Sequence, residues 1–378
     1  MTTNKANVPA LFFVNVALSL TGFIVCFLLS KTDKMEETTW VFIAGIVICF
    51  ILFPIFLFFI MKQFGSNISE YNPKQKIKRP PVKNTQGDYF LYVFSIFAFT
   101  AIVDLAIAFT LDGYTTMVEF YLENGEEYLK SSYGCFINYW DGTFHYLCYL
   151  ILIYLILQRN KTDGKYQFFG WLWFGSIYNS IIVFLPGNLL GPWYKDIHLS
   201  YLLNIPYIVF PVLFALHLIS QGSGASEPAT KIRSPSRSQG AFSFLYDLFL
   251  ILFGFGLITL FFVRAFVVLH GKYEFLTEWG KVYEPHLLSN TVWPALQVFV
   301  YLYYFSPVII FLSYSLYTRE FYPNIQKPLI LIAFGSSLQG QFSYIGPALH
   351  PLVKYPDPTF VPIPVEGIFL VSFQLFTI

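Results

Sequence analysis

The sequence predicts an all-α, polytopic helical membrane protein, and three observations carry that prediction. First, 56% of the 378 residues are hydrophobic and only 12% are charged, whereas soluble domains carry about 25% charged residues. Second, the mean hydropathy is +0.57, and apolar stretches of about 20 residues, enough to cross a bilayer as a helix, recur along the chain. Third, these stretches are continuous, unlike the short alternating segments of a membrane β-barrel. The net charge of +1 argues against nucleic acid as a partner.

About ten transmembrane helices are predicted. The first apolar run is longer than the core of a signal peptide and has only Lys5 as a basic start, so we expect a retained helix. The sequence stops inside the tenth apolar stretch, which leaves open a truncated helix and a missing cytoplasmic tail. The ten spans are 8–30, 39–61, 88–111, 138–158, 167–190, 200–219, 242–269, 293–317, 328–350 and 361–378.

The basic residues predict the orientation of these spans. Fifteen of the 23 Lys and Arg residues fall in the N-terminus and in alternate loops, and six of those lie in the 62–87 loop. Short loops rich in Lys and Arg stay in the cytoplasm. We therefore expect both termini to be cytoplasmic, and the acidic loop 112–127 to be lumenal.

The two halves of the chain resemble each other at an offset of about 160 residues. Glu126 aligns with Glu284, and the sequence Phe-Gly-Ser recurs with Gly175 and Gly335 at its centre. Each copy would hold four spans that enter the membrane from the same side, which makes the repeats parallel. The predicted organisation is an N-terminal helix pair (1–62), a basic cytoplasmic loop (63–87), a four-helix module (88–219), a flexible linker rich in Ser, Gly and Pro (220–241), and a second four-helix module (242–378).

An acid and an imidazole interrupt the fourth span. Asn138, Asp141, His145 and Tyr149 follow spacings of three, four and four, which place them on one helical face. Ionisable residues inside a membrane usually face the bundle interior and mark functional sites. Asp141 and His145 could pass a proton between them. Alternatively, Asp141 caps the start of the helix and His145 satisfies a neighbour in the core.

Two further sets of polar residues lie inside apolar runs. Gln339 and Gln341 in the ninth span, with the nearby Tyr344, form either a polar cavity wall or interhelical packing. Asp104 and Arg264 occupy matching repeat positions. They either pair with each other, which would offset much of their burial cost, or Arg264 extends to the lumenal surface. The cysteines lack metal-ligand spacing, and no phosphate loop or nucleophile elbow is visible. We therefore expect no metal and no cofactor.

Several segments resemble the transmembrane 6 superfamily, most specifically "YWDGTFHYL" (139–147) and "QFSYIG" (341–346). The resemblance covers roughly residues 88–350. It implies two copies of the four-helix EXPERA module that this family shares with the emopamil-binding protein, a sterol isomerase, and with the sigma-2 receptor. It also implies an endomembrane protein of lipid metabolism that influences triglyceride secretion, lipid droplet content and cholesterol handling.

The resemblance gives weaker support for catalysis than for the fold. The isomerase has a histidine and, four residues later, a glutamate on the first helix of its module. Asp104 and Ala108 occupy those positions in the first module, and Arg264 and Val268 in the second. Asp141, His145 and Trp140 could supply an acid, a base and a π-face from another helix. At an offset of 158 the second module has Phe299 and Tyr303 in place of Asp141 and His145.

Three functions therefore remain open: a non-catalytic protein that binds lipid or sterol, a sterol double-bond isomerase, and a lipid transporter built on the parallel repeats. The expected location is the endoplasmic reticulum membrane, a lysosome or another endomembrane. Expected partners are a lipid or sterol ligand, the bilayer and other membrane or lipoprotein-assembly proteins. The candidate catalytic residues are Asp141 and His145, and the candidate lipid-binding residues are Asn138, Trp140, Tyr149, Asp104, Gln339, Gln341 and Tyr344.

Overall fold

The computed structural model describes most of the membrane-spanning part of the chain. The described residues are 8–65, 89–158, 164–222, 232–233, 241–271, 273–288 and 292–350, with the single positions 352, 354, 355, 362, 364 and 367. Most of the predicted basic loop, most of the predicted linker and nearly all of the predicted tenth span therefore lie outside the described residues.

Helices make up almost all of the described chain. They are α1 (Val8–Leu29), α2 (Thr38–Ile46), α3 (Phe53–Gly65), α4 (Tyr89–Leu111), α5 (Glu119–Asn124), α6 (Ser132–Trp140), α7 (Tyr146–Leu157), α8 (Gly164–Leu190), α9 (Ile205–Gly222), α10 (Ala241–Val268), α11 (Glu274–Tyr283), α12 (Trp293–Val300), α13 (Ser306–Thr318) and α14 (Pro323–Leu349). Two short strands, β1 (Ile232–Arg233) and β2 (Glu320–Phe321), pair antiparallel.

The predicted fold class is confirmed: the protein is an all-α, polytopic membrane protein. Eight helical segments among the described residues are long and apolar enough to cross a membrane, and they coincide with the first eight predicted spans. The fourth starts at Ser132, six residues before the predicted start. All but the last residue of the predicted ninth span lies within the 27-residue helix α14, whose Gly, Ser, Gln and Pro residues make it less apolar than the other eight.

The chain divides into two compact units that are discontinuous in sequence. Unit 1 contains residues 1–127, 138–169 and 198–206, and unit 2 contains residues 128–137, 170–197 and 207–378. The predicted organisation into two modules, by contrast, follows the sequence, and it stays a prediction.

In unit 1, helix α4 lies at the centre of the packing. Most of its side chains are buried, and it packs against α1 and α7. Gly22 permits the approach of α1, because a Cβ there would lie 3.1 Å from the carbonyl oxygen of Phe99. The Ser95 hydroxyl donates to Asn15 Oδ1 at 2.7 Å. This pair satisfies a buried polar group on each helix, as membrane packing requires.

In unit 2, helices α8 and α14 cross backbone against backbone at two glycines. A Cβ on Gly175 would overlap the carbonyl oxygen of Ile332, and one on Gly335 would overlap that of Leu172. The Ser336 hydroxyl donates to the Gly175 carbonyl oxygen at 2.8 Å. Small residues let membrane helices approach closely, so these two glycines set the distance between α8 and α14.

Two of the spans contain a five-residue π turn at corresponding places. The turn Asp141–His145 joins α6 to α7, and the turn Tyr301–Phe305 joins α12 to α13. The two turns lie 160 residues apart in sequence, the same offset that relates Gly175 to Gly335. At this offset Tyr301 and Phe305 would correspond to Asp141 and His145, whereas the offset of 158 gives Phe299 and Tyr303. The correspondence between the two halves stays a prediction.

The α8–α14 crossing yields a stability prediction. Gly335→Ala would force the two backbones apart, and overpacking of this kind costs about 1–3 kcal/mol. We expect a lower Tm for the purified protein in detergent. Gly256→Ala is the matched control, because a Cβ at Gly256 meets no atom within 4 Å. Equal Tm values for the two variants would contradict the close crossing.

Candidate functional site

Three carboxylates lie close together in unit 1. Asp104 is half-buried on α4, the Asp141 side chain is 21% exposed in the π turn, and Glu126 is buried just after α5. Asp141 and Glu126 are near enough to repel a charge on Asp104. The thiols of Cys26 and Cys49, from α1 and the π turn Val47–Leu52, also lie in the field of Asp104. Residues of α1 and of that π turn therefore lie near the three acids, which together we name the carboxylate site.

The arrangement of these carboxylates does not suit a metal ion. Among the residues that the structure describes, no group of three or more His, Cys, Asp or Glu could hold one.

Asp141 is held in place by a chain of hydrogen bonds. His145 Nδ1 lies 2.5 Å from Asp141 Oδ1, and the Trp140 indole N–H donates to His145 Nε2 at 3.2 Å. Because Nε2 accepts this bond, the proton of a neutral imidazole lies on Nδ1 and is donated to Asp141. Both ring nitrogens are thus occupied, and His145 is fully buried. Only Asp141 of this pair is accessible.

The π turn and a glycine bring Asp141 towards helix α4. A Cβ on Gly142 would lie 2.6 Å from Leu105 Cβ and 3.1 Å from the Ala101 carbonyl oxygen. The helix therefore meets α4 at the residues beside Asp104. π turns inside α-helices are frequent at functional sites. The interpretation of Asp141 as a helix cap is wrong, because it lies inside a continuous span from Ser132 to Leu157.

The other candidate residues of unit 1 are buried and pack around the site. Tyr149 is 1% exposed, and its ring centroid lies 6.2 Å from Phe94 and 5.6 Å from Phe97. Trp140 stacks on Phe144 with centroids 4.5 Å apart. Asn138 is buried as well. These side chains pack and orient the site, and its partly exposed acids are Asp104 and Asp141.

Glu126 is a member of the site for which the sequence offers only a repeat match. Its Oε1 accepts a hydrogen bond from Asn204 Nδ2 at 2.8 Å. Burial and the neighbouring Glu126 carboxylate raise the pKa of Tyr121 on α5 well above its usual range, so Tyr121 remains a neutral donor near this acid. The signal that could have found it is the alignment of Glu126 with Glu284, an acidic residue in the same place in both halves.

The candidate residues of unit 2 are engaged with other helices. Gln339 Oε1 accepts from Asn179 Nδ2 at 2.5 Å, and Gln339 Nε2 donates to the Ser343 hydroxyl at 2.9 Å. Gln341 Nε2 donates to the Tyr301 hydroxyl at 3.0 Å. These bonds fit the packing interpretation of the ninth span, in which amide side chains join membrane helices.

Arg264 neither pairs with Asp104 nor extends to the lumenal surface, so both expectations for it are wrong. Its side chain is fully buried, and its Nε donates to Glu284 Oε2 at 2.7 Å. The Tyr344 hydroxyl donates to the same oxygen at 2.8 Å. Glu284 follows α11 directly and lies 20 residues further along the chain. The buried charge of Arg264 is therefore stabilised by a carboxylate inside unit 2, and the side chain has no need to reach the surface.

Similarity to known proteins identifies the family of the chain. A family described as "Transmembrane 6 superfamily member 2-like, transmembrane domain" matches residues 21–228, which is more than half of the chain. No solved structure matches it.

Curated relatives match over most of their length. The human protein named Transmembrane 6 superfamily member 2 is 30% identical over 377 residues, which cover 98% of this chain and 91% of the relative. The rat protein of that name is 33% identical over 291 residues, covering 76% and 74% of the two chains. The chain therefore belongs to the transmembrane 6 superfamily, within its member 2-like family.

Proposed function

We propose that the protein binds a lipid or sterol at the carboxylate site of unit 1, without catalysing a reaction on it. The observation that carries the proposal is the contrast between the two members of the acid–imidazole pair. The Asp141 side chain is 21% exposed, and that of His145 is 0% exposed with both nitrogens bonded. An accessible acceptor held by a buried imidazole is suited to binding a donor group.

The charge of the site limits the chemistry of its ligand. The carboxylates of Glu126 and Asp141 each lie near enough to Asp104 to repel a charge on it. A charged group in the bilayer costs about 2.5–3.5 kcal/mol on insertion scales, so a bound donor that offsets part of this charge would be favourable. A lipid headgroup that presents a hydroxyl or an amine to Asp141 fits this requirement.

Catalysis receives less support from the same contacts. Double-bond migration needs a group that gives up a proton and one that takes it away. His145 lacks a free nitrogen to exchange a proton with a substrate, because Asp141 and Trp140 occupy both. Trp140 itself is buried against Phe144. One of the two faces of the indole is thus already in use, and we propose binding over isomerisation.

In the cell, we propose a role in lipid metabolism, in line with the resemblance to the transmembrane 6 superfamily. This role covers triglyceride secretion, lipid droplet content and cholesterol handling, from the endoplasmic reticulum or another endomembrane. The proposed partners beyond the ligand are other membrane or lipoprotein-assembly proteins. Both termini would be cytoplasmic, as the distribution of Lys and Arg predicts.

The binding proposal predicts the effect of removing one charge. Asp141→Asn should weaken the binding of a photoreactive cholesterol analogue about tenfold or more, because a hydrogen bond to a charged group contributes about 1.5–3 kcal/mol. Binding is measured by competition with unlabelled cholesterol in nanodiscs, read as cross-linking of the peptides from residues 89–127 and 138–158 of unit 1. Glu278→Gln, at a carboxylate that is 57% exposed, is the control and should bind like the wild type. Unchanged binding by the Asp141 variant would show that the ligand does not bind at the carboxylate site.

The absence of catalysis is tested in cells that lack sterol isomerase. Expression of the wild-type chain should leave the sterol profile, measured by mass spectrometry, as it is in untransformed cells. The double variant Asp141→Asn with His145→Ala serves as the comparison. If the wild type restores double-bond migration and the double variant does not, the protein is an isomerase and the proposal is wrong.

A further inference from the structure

Unit 2 contains a second cluster of polar side chains, built around the buried pair of Arg264 and Glu284. Both side chains are 0% exposed. The Arg264 guanidinium also lies over the Tyr344 ring, 4.9 Å from its centroid. His286 packs against the same ring at 4.3 Å between centroids. One cation, one carboxylate and one imidazole thus meet around a single tyrosine.

Five polar atoms of this cluster have no hydrogen-bond partner among the residues that the structure describes. They are Arg264 Nη1 and Nη2, Glu284 Oε1, and His286 Nδ1 and Nε2. Buried polar groups in proteins are nearly always hydrogen-bonded, and each exception calls for an explanation. The ion pair uses one edge of the guanidinium, through Nε, and leaves the edge between Nη1 and Nη2 unused.

The cluster carries no net charge. The charges of Arg264 and Glu284 cancel, and burial together with the charge of Arg264 holds the pKa of His286 well below its usual range. The imidazole is therefore neutral at pH 7 and offers one donor and one acceptor. A ligand with a charge of its own would leave this buried region charged, which is costly in a low dielectric.

A cleft lies next to the cluster. Its cavity volume is about 20 Å³, it is partly open to solvent, and its walls include Tyr133, Asn188 and Trp293. Asn188 is buried and its Nδ2 has no partner among the described residues. Trp293 stacks on Tyr133 at 4.6 Å and on His286 at 6.4 Å between centroids. The indole thus contacts both the cleft and the polar cluster.

We propose that unit 2 holds a second ligand site, which takes the hydroxyl group of an uncharged lipid alcohol between Arg264 and Glu284. A hydroxyl donates one hydrogen bond and accepts others. It therefore matches a free donor on the guanidinium and the free acceptor Glu284 Oε1, and it leaves the net charge at zero. A fatty-acid carboxylate would match the guanidinium alone and would face Glu284. The Trp293 ring, between cleft and cluster, has to move to admit the ligand.

The test is photo-cross-linking of the full-length protein in nanodiscs, with the labelled peptides identified by mass spectrometry. The probes are a photoreactive cholesterol analogue, a photoreactive diacylglycerol and photoreactive oleate. At least one of the two alcohol probes should label peptides from residues 257–305 or 333–349 of unit 2, and the oleate probe should not. Which alcohol labels them distinguishes a sterol from an acylglycerol. Preferential labelling by oleate, or no labelling of these peptides by either alcohol, overturns the proposal.

A double variant keeps the test specific to the pair. Arg264→Met with Glu284→Gln removes both charges together, because removing one alone would leave an unpaired buried charge. The amide oxygen introduced by Glu284→Gln still offers an acceptor to Tyr344. Labelling of the unit 2 peptides should fall about tenfold, the usual effect of losing a hydrogen bond to a charged group. Glu278→Gln is the control. Labelling at the wild-type level in a folded double variant overturns the proposal.

Two further measurements complete the test. The first does not depend on the folding of the double variant, and the second distinguishes the two sites. On the wild-type protein, free cholesterol or diacylglycerol should compete at least tenfold better than its methyl ether, which cannot donate to Glu284; equal competition overturns the proposal. Asp141→Asn removes the carboxylate site of unit 1 and should leave the labelling of the unit 2 peptides unchanged. Failure of one site is then distinguishable from failure of the other.

Discussion

The structure depends on one constraint: a polar or charged side chain inside a bilayer must find a partner within the protein. Arg264 meets it with Glu284 and a tyrosine hydroxyl, and His145 meets it with Asp141 and Trp140. Amide and hydroxyl groups meet it between helices, as in the bonds that Asn179 makes to Gln339 and Gln297. Among the groups that meet it only in part are the partly exposed acids of unit 1 and, in unit 2, the unused edge of Arg264, Glu284 Oε1 and the His286 ring. They are therefore the places where a ligand is expected.

Close approach of the helices makes these partnerships possible. Gly142 brings the π turn against α4 beside Asp104, and Gly175 and Gly335 bring α8 against α14. The π turns add a further adjustment, because an extra residue in a turn rotates the side chains that follow it. Asp141 and Tyr301 each begin such a turn, and each contributes to a polar cluster of its own unit.

Hydropathy predicts the eight spans that the structure describes because that signal is local to each helix. The spacing of Asp141 and His145 likewise predicts their contact. The partner of Arg264 is not predictable in this way, because it depends on how the chain turns after α10, which residue spacing does not report. The contact of Gly175 with α14 escapes prediction for a similar reason: alignment shows that two segments are alike, not that they touch. Glu126 is visible in an acidic loop, but its burial comes from α5 and Asn204, and Asn204 is distant in sequence.

The central claim is that Asp141 faces the carboxylate site inside unit 1 rather than acyl chains. It is tested most directly by placing a single cysteine at position 141, in a background where Cys26, Cys49, Cys135 and Cys148 are replaced by alanine, and measuring its reaction with a charged methanethiosulfonate reagent. A cysteine at Phe255, which is 56% exposed on α10, reports the lipid-facing surface. The account predicts modification at 141, slowed by added cholesterol, and none at 255. Reaction at 141 only with a lipid-soluble maleimide, as at 255, would contradict it.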